Sequence, residues 1–285
     1  MAGDAGRCPG PGGRGRQVSR PEWIKVGRRW IVECDGLAQF LNAGPRAVAH
    51  DDSETGSETF TGTPSYAAAV ALLRNGWPAG AERARALSAS LAGSLAAADS
   101  CERPAPVWDV CGDDADVARF LEGEPENMVA WMPEAVPAAG RVVRVVLDAG
   151  VNCTVKEEHL QAAGVMTAAA VDVLEARGVR CEVWVSYPAA FDSCAVEVRH
   201  RLKAAEEPLD LARVVAGMHP SGWRRIGFRW FETRPECPGN YGHRGEASKA
   251  EGDIVFPAGD IGKLPEAERP GWLAKQAEAV FGVAA

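Results

Sequence analysis

RVVRVVLDAG, residues 141–150, is the stretch of sequence that decides the expected fold. Its apolar residues are β-branched and almost uninterrupted, which is typical of a strand that is covered on both faces. The segment TVKE at 154–157 fits a capping box, so we expect a helix to begin just after Thr154 and to end at Gly178. A second buried strand is predicted over VRCEVWVSY, residues 179–187. Strand, helix and strand in this order predict a right-handed crossover unit.

Further elements follow this unit. Residues 195–202 predict a strand, and a helix is expected to open at Pro208. The alternation in WRRIGFRWFE, residues 223–232, predicts another strand, and 253–257 a short one. A closing amphipathic helix carries Trp272, Leu273, Gln276, Val280 and Phe281. The expected fold class over 138–285 is therefore α/β, with a mostly parallel central sheet flanked by helices.

A smaller α+β region is expected before this domain, over residues 21–137. WIKVGRRWIVEC, residues 23–34, predicts two short strands that turn at Gly27, and two helices are expected over 63–76 and 79–98. Residues 1–20 are rich in Gly, Pro and Arg, and we expect them to form a disordered tail.

Residues 99–140 are acidic and are expected to be irregular, with a short helix over 116–121. The prolines between Pro133 and Pro137 indicate a linker, so a domain boundary is expected there. Most of the nine tryptophans are expected to anchor the core.

Composition limits the classes of function. The net charge of −8 argues against a general nucleic-acid binder. No run of 18 apolar residues and no signal-like stretch occurs in the sequence, so we expect no membrane span and a cytoplasmic location (host cytoplasm, or the virion if the chain is phage-encoded). The eight cysteines are scattered without a C-x-x-C pair, which favours small buried side chains over a disulfide framework.

The first candidate site is the turn that follows Asp148. Ligands gather at the carboxyl ends of strands in open α/β sheets. Asp148 and Asn152 place two oxygen-bearing side chains in this turn, and oxygen ligands suit Mg²⁺ or Ca²⁺. An alternative is that Asp148 only stabilises the turn or caps the helix.

The stretch 141–187 resembles a von Willebrand factor A domain. In that family the first strand ends in an Asp-x-Ser-x-Ser metal motif; here Asp148 matches the Asp, while Gly150 and Asn152 stand at the two serine positions. The family's later Thr and Asp ligands have no clear counterpart in this sequence. The resemblance implies a protein-binding scaffold, as in the many such domains that have lost the metal.

The N-terminal half resembles an uncharacterised protein family of tailed phages and prophages, which implies a mobile-element context and a role in particle assembly. The residues that carry this resemblance are Gly62, Thr63, Ser65, Gly76, Trp77, Gly80, Asp109, Val110, Gly112, Asp116, Val117, Gly123, Pro125 and Met128.

Two cysteines are candidates for reactive or metal-binding groups. Cys153 lies at the expected N-terminus of the long helix, where the dipole favours a thiolate, and His159 is a conceivable base. A small buried cysteine is the simpler interpretation of Cys153. Cys237 and His243, joined by His219 or His200, are a conceivable zinc set, although zinc sites normally show paired ligands at short spacing. The loop that holds Cys237 and His243 is alternatively a contact surface.

An acidic cluster occupies 109–126. Such carboxylates perform acid–base chemistry, hold metals or form a solvated or partner-binding surface. The members are Asp109, Asp113, Asp114, Asp116, Glu122, Glu124 and Glu126.

The sequence as a whole favours a non-catalytic protein-interaction or assembly module with a protein partner, because no catalytic set is assembled and no Walker A, G-x-G-x-x-G, H-E-x-x-H or G-x-S-x-G motif occurs. Two alternatives stay open. One is a divalent-metal-dependent hydrolase or nuclease centred on Asp148, with Asp192, Asp253 or Asp260 as a further carboxylate. The other is a phosphatase-like enzyme that depends on Cys153.

Overall fold

The computed structural model describes residues 21–43, 57–93, 100–137, 140–190, 195–231 and 252–281. The strands are β1 (Trp23–Val26), β2 (Arg29–Cys34), β3 (Ser100–Asp109), β4 (Asp114–Ala115), β5 (Met128–Pro137), β6 (Val142–Asp148), β7 (Arg180–Ala190), β8 (Ala195–Lys203) and β9 (Ile254–Pro257). The α-helices are α1 (Leu37–Ala43), α2 (Glu58–Thr61), α3 (Tyr66–Asn75), α4 (Pro78–Leu91), α5 (Val117–Leu121), α6 (Glu157–Ala176), α7 (Leu211–Gly217), α8 (Phe228–Phe231), α9 (Ala258–Ile261) and α10 (Arg269–Phe281). A π-helical turn spans Gly222–Gly227, and a 3-10 turn spans Glu266–Glu268.

The fold is α/β around a mixed six-stranded sheet of order β1-β2-β8-β7-β6-β9. The pairs β2·β8, β7·β6 and β6·β9 are parallel, whereas β1·β2 and β8·β7 are antiparallel. The sheet is thus mostly but not wholly parallel, because two of its connections are hairpin-like returns between neighbouring strands. A second, antiparallel sheet has the order β3-β5-β4.

The crossover unit expected from the opening sequence is present. β6 lies inside the sheet between β7 and β9, and α6 connects β6 to β7. The helix begins at Glu157, not directly after Thr154. The backbone N–H of Thr154 donates a hydrogen bond to Asn152 Oδ1 at 3.0 Å, and the N–H of Val155 donates to Asn152 O at 3.1 Å. This turn takes the place of the expected capping box.

Segments from before and after Pro137 share one sheet and one core. β2 pairs in parallel with β8, and α4 packs on α6. The hydrophobic cluster joins Val32 and Leu73 of the N-terminal region to Val145 and Val171 of the later one. The two regions therefore bury their apolar side chains against each other.

One face of the large sheet carries the core. Phe40 of α1 stacks on His200 at 4.2 Å between ring centroids, and Trp272 of α10 lies 5.1 Å from Phe256. Both contacts are on the face that also carries Val145. The strand residues that point to the opposite face of the sheet include charged side chains. In order from β6 to β8 these are Arg144, Glu182, Glu197, Arg199 and Arg201. The sheet thus has an apolar side and a charged side.

The strand expected at 223–232 is wrong: the chain there forms the π-helical turn and α8. Trp223, Ile226 and Trp230 are all buried. Their spacing of three and four residues is that of a helix, although part of the segment also alternates between apolar and polar residues. Arg224 and Arg225 are also buried, and each donates hydrogen bonds to backbone carbonyl groups. Polar residues in this segment therefore do not identify the solvent-facing positions, which is why the alternation was misleading.

The irregular structure expected at 99–140 is also wrong. Ser100–Asp109 and Met128–Pro137 form an antiparallel ribbon in which Ser100 pairs with Pro137 and Asp109 with Met128. The short helix expected at 116–121 is present as α5, at the far end of the ribbon from its paired termini. We call residues 100–137 the arm.

Candidate functional site

The turn after β6 uses the oxygens of both predicted metal ligands for its own backbone. Gly150 N–H donates to Asp148 Oδ1 at 2.9 Å, within a buried setting. Asn152 Oδ1 accepts from Thr154 N–H and lies 3.4 Å from Cys153 Sγ. Both are side-chain turns of the Asx type, which give the backbone a local partner. Asp148 and Asn152 therefore have a structural task at the end of this strand.

A charged network lies beside Asp148 on the same side of the sheet. Asp148 pairs with Ser186, whose hydroxyl donates to Glu197 Oε1 at 2.6 Å. Arg199 Nε donates to the same oxygen at 2.7 Å, and Arg29 Nη1 to Glu197 Oε2 at 3.1 Å. Burial alone would raise the pKa of Glu197, but these hydrogen bonds and the two guanidinium charges outweigh it and leave that pKa lowered.

Glu197 lies two strands from Asp148 on the same side of the sheet, and sequence reasoning missed it. The metal-dependent alternative required such a second carboxylate, with Asp253 as one donor. Asp253 instead accepts from Arg144 N–H at the start of β9, at the other end of β6. Within the described ranges no group of three or more His, Cys, Asp or Glu side chains is arranged to hold a metal ion. The assignment of Asp148 and Asn152 to Mg²⁺ or Ca²⁺ stays a prediction.

Cys153 lines a small cleft beside the same turn and is exposed, so the expectation of a small buried cysteine is wrong at this position. Aromatic side chains form much of the wall, and the volume of the cleft is about 40 Å³. A water molecule occupies about 30 Å³ in the liquid and ligand pockets hold about 300–1,000 Å³, so this cleft is too small for a metabolite. The wall includes Phe60, Tyr187, Trp223, Phe228 and Phe231.

Arg224 closes one side of this cleft. Its two terminal amines donate to Phe60 O at 2.6 Å and to Val155 O at 2.7 Å, and its guanidinium stacks 4.1 Å from the Phe60 ring centroid. Burial lowers the pKa of Arg224 to about 10. The arginine therefore ties α2 to the turn before α6, with its terminal donors already committed to backbone oxygens.

The remaining histidine and cysteine candidates are dispersed. Cys153 Sγ contacts Asn152, whereas His159 Nδ1 lies 3.2 Å from Gly262 O, so each has its own partner. His219 Nδ1 lies 2.9 Å from Ser221 Oγ, and burial lowers the pKa of His219 to about 4. His200 is packed between aromatic rings elsewhere in the core. Cys237, His243 and Asp192 lie outside the described residues.

A larger groove of about 500 Å³ opens at the other end of the sheet, between β8, α1 and the start of α7. Two of its basic side chains are paired: Arg201 Nη2 lies 2.5 Å from Asp35 Oδ1, and Lys203 Nζ lies 2.6 Å from Glu175 Oε1. The groove thus has the volume for a ligand, and the charges of Arg201 and Lys203 are already balanced by carboxylates.

The arm carries the most unusual surface of the described chain. Eight of the eleven large hydrophobic side chains that are exposed belong to it, although soluble surfaces rarely cluster such groups. In α5, Val117, Phe120 and Leu121 recur at helical spacing and are 65%, 64% and 78% exposed. The other members are Val107, Trp108, Val110, Trp131 and Met132. Trp108 and Trp131 are therefore exceptions to the expectation that most tryptophans anchor the core.

The acidic cluster predicted at 109–126 surrounds these apolar groups. Asp116 caps α5 by accepting from Ala118 and Arg119 N–H, and it also accepts from Trp108 Nε1 at 3.1 Å. These hydrogen bonds lower the pKa of Asp116. Across 100–137 there are nine acidic and two basic side chains, a net charge of −7, whereas the whole chain has −8. The acidity of the protein is therefore concentrated in the arm.

Comparison with known proteins assigns the chain to a family. A family model described as "Domain of unknown function (DUF7192)" matches residues 16–282. No curated protein and no solved structure matches the chain. In the part of the chain that the structure describes, the helices are too short or too polar to cross a membrane.

Proposed function

We propose that this chain, which belongs to the DUF7192 family of unknown function, is a non-catalytic protein-interaction or assembly module that binds its partner through the arm. The observation that carries the proposal is the exposed apolar stripe of α5 together with Trp108 and Trp131. Exposed aromatic and aliphatic groups of this kind are the anchors that dominate binding energy at protein interfaces. Leaving them in water costs free energy that a partner would recover.

The other candidate sites support a structural interpretation better than a catalytic one. The cleft at Cys153 has a volume of about 40 Å³, well below that of a metabolite pocket. Asp148 and Asn152 accept hydrogen bonds within their own turn, and Glu197 is held by two arginines. These hydrogen bonds give the three side chains a role in the fold itself, which supports the structural interpretation.

The von Willebrand A-like scaffold and the phage or prophage origin are part of the same proposal. The crossover β6-α6-β7 supports the first, because it places Asp148 at the end of a buried strand, where the first strand of that family carries its metal motif. A particle-assembly role is the expectation that follows from the second. Family membership alone does not bear on either.

The test is site-specific photo-crosslinking of the full chain in its native cells. We expect p-benzoylphenylalanine at Phe120 or Trp131 to give discrete protein adducts. The same probe at Ile24 or Val142, which are 61% and 53% exposed on the body, serves as the matched control and is expected to give none. Equal adduct yields from arm and body positions would contradict the proposal.

The enzymatic alternatives are tested in parallel with Asp148→Asn and Cys153→Ser in the crosslinking background. Asparagine keeps an oxygen for Gly150 N–H, and serine is close in size to cysteine, so we expect the fold and the adduct yield to be unchanged. Loss of a metal-dependent hydrolytic or phosphatase activity of the purified chain in one of these variants would favour the corresponding enzyme.

A further inference from the structure

We infer that the partner of the arm is a protein surface with an apolar centre and a lysine- and arginine-rich rim, which docks on the faces of the arm and does not add a strand to its edges. This inference rests on the proposed function and names the chemistry of the partner. Three observations carry it: the apolar groups, the charge around them and the prolines along the ribbon.

The apolar groups define the centre of the docking surface. Val117, Phe120 and Leu121 form one stripe on α5, and each of these residues is more than half exposed. α5 is fixed to the ribbon because Asp116 accepts from Trp108 Nε1 and Arg119 lies 5.2 Å from the Trp108 ring centroid. The stripe is therefore a preorganised surface, which lowers the entropic cost of binding.

The charge around this centre selects the rim of the partner. The glutamates Glu122, Glu124 and Glu126 directly follow the stripe and are exposed. With a net charge of −7 on the arm and −1 on the remainder of the chain, the field that an approaching molecule meets is negative at this one place. Charge complementarity steers association and excludes partners of the same sign.

The same charge argues against a second copy on this surface. Two arms that meet stripe to stripe would bring −7 against −7, and like charges at an interface cost several kcal/mol. An acidic protein or a nucleic acid is disfavoured for the same reason. A basic protein surface is the occupant that satisfies both the apolar and the electrostatic requirement.

Prolines determine the mode of docking. Pro104 lies directly opposite Pro133, and two residues further along Pro106 lies opposite Trp131. In an antiparallel pair, opposite residues either exchange both hydrogen bonds or direct both N–H groups outward. Prolines have no N–H, so these positions belong to the outward class. The edge of β3 therefore lacks donors at Pro104 and Pro106, and the edge of β5 lacks one at Pro133, whereas Trp131 keeps its outward N–H. Strand addition needs such donors, so these gaps disfavour it along this stretch and favour docking on the faces.

The experiment measures binding of a fluorescein-labelled, 14-residue amphipathic peptide of leucine and lysine to the full chain by fluorescence anisotropy. A leucine–glutamate peptide of the same pattern is the control probe. We expect the lysine peptide to bind. Its affinity should fall roughly tenfold between 50 and 300 mM NaCl, because added salt shortens the Debye length and screens the attraction between the peptide and the arm. The glutamate peptide is expected not to bind.

Two variants of the arm separate the apolar from the electrostatic contribution. Phe120→Ser with Leu121→Ser is expected to weaken binding by about tenfold or more, since two anchors are lost. Glu122→Gln, Glu124→Gln and Glu126→Gln together are expected to weaken it roughly fivefold at 50 mM NaCl. The matched control removes three exposed carboxylates of the body, by Glu82→Gln, Glu206→Gln and Glu268→Gln, and is expected to change binding less than about twofold.

Each other outcome overturns the inference. Equal binding of both peptides, or equal loss in the arm and body charge variants, would show that charge at the arm does not select the partner. A concentration-dependent dimer in sedimentation velocity that Phe120→Ser with Leu121→Ser abolishes would make a second copy the occupant. Crosslinks from Phe120 without binding of the lysine peptide would leave the proposed function standing and overturn the basic partner alone.

Discussion

Glu197 is held on the charged side of the sheet by Ser186, Arg199 and Arg29, and it is 1% exposed. Glu197→Gln keeps an acceptor for Ser186 but removes the buried negative charge that Arg29 and Arg199 share. We expect the free energy of unfolding to fall by about 3 kcal/mol, because a buried charge that loses its partner keeps its desolvation cost. Urea denaturation at pH 7 measures this change.

The matched control for this prediction is Glu33→Gln. Glu33 Oε2 lies 3.8 Å from Arg199 Nη1, and its side chain is 55% exposed. We expect a loss below about 1 kcal/mol, because water screens such a pair. Equal losses in the two variants would mean that the network around Glu197 does not stabilise the sheet.

His200 predicts a pH dependence of stability. Burial lowers its pKa to about 3, and neither ring nitrogen has a hydrogen-bond partner among the residues that the structure describes. As pH falls below about 6.5, the unfolded chain gains a proton at His200 that the folded chain does not take up until about pH 3. Stability from the neutral ring is thus complete above the unfolded pKa and is lost as the solution becomes acidic.

His200→Phe removes this titration and keeps a ring against Phe40. We expect the variant to gain about 2 kcal/mol of unfolding free energy relative to the wild type on going from pH 7.5 to pH 5. Urea denaturation of both proteins at the two pH values measures the difference. A difference that does not change with pH would show that His200 has the same pKa in the folded protein as in the unfolded chain.

At the residue scale, the sequence located the turn after Asp148 but not what surrounds it. The aspartate, glycine and asparagine were recognisable because they follow a β-branched run. Glu197 and Arg224 were not, because their partners Ser186 and Val155 are brought close only by the tertiary fold. The consecutive arginines at 224 and 225 inside an apolar run were the available signal, since buried arginines need oxygens to bind.

At the scale of elements, the prolines of the arm keep it from pairing with other ribbons. Pro104→Thr with Pro106→Thr restores two outward N–H groups on β3. We expect this variant to self-associate as its concentration rises, as seen by size-exclusion chromatography with light scattering. Ala105→Thr is the control, since the N–H at that position faces β5. A double variant as monodisperse as the control would refute the edge argument.

The elements that sequence periodicity predicted well are those whose partners are nearby in the chain. β6, α6 and β7 follow one another, and Gly178, with a φ of 81°, ends the helix as expected. The ribbon β3·β5 was missed because Pro104, Pro106 and Pro133 are typical of linkers and become tolerable only at outward positions of a paired strand. The register that makes them tolerable is a long-range property.

For the whole molecule, the arm and the body have separate energetic roles. Among the side chains of 100–137 that the structure describes, none belongs to the hydrophobic cluster, and the arm contacts the body where β3 meets α10. We expect that joining Ser100 to Pro137 by a Gly-Ser link, in place of 101–136, changes the free energy of unfolding by less than about 1 kcal/mol, as for surface changes. Leu73→Ala, at a fully buried core position, is the reference and is expected to cost about 2–5 kcal/mol. An armless chain as unstable as this variant would contradict the separation.

The pairing of Ser100 with Pro137 has a consequence for how such a protein diversifies. The two ends of the arm lie side by side at this pair, so a recombination event that exchanges everything between them would leave the spacing of the flanking chain ends unchanged. Relatives that share the scaffold are therefore free to carry inserts of other lengths and charges. A lineage can change the partner it recognises while keeping the core residues that determine the fold.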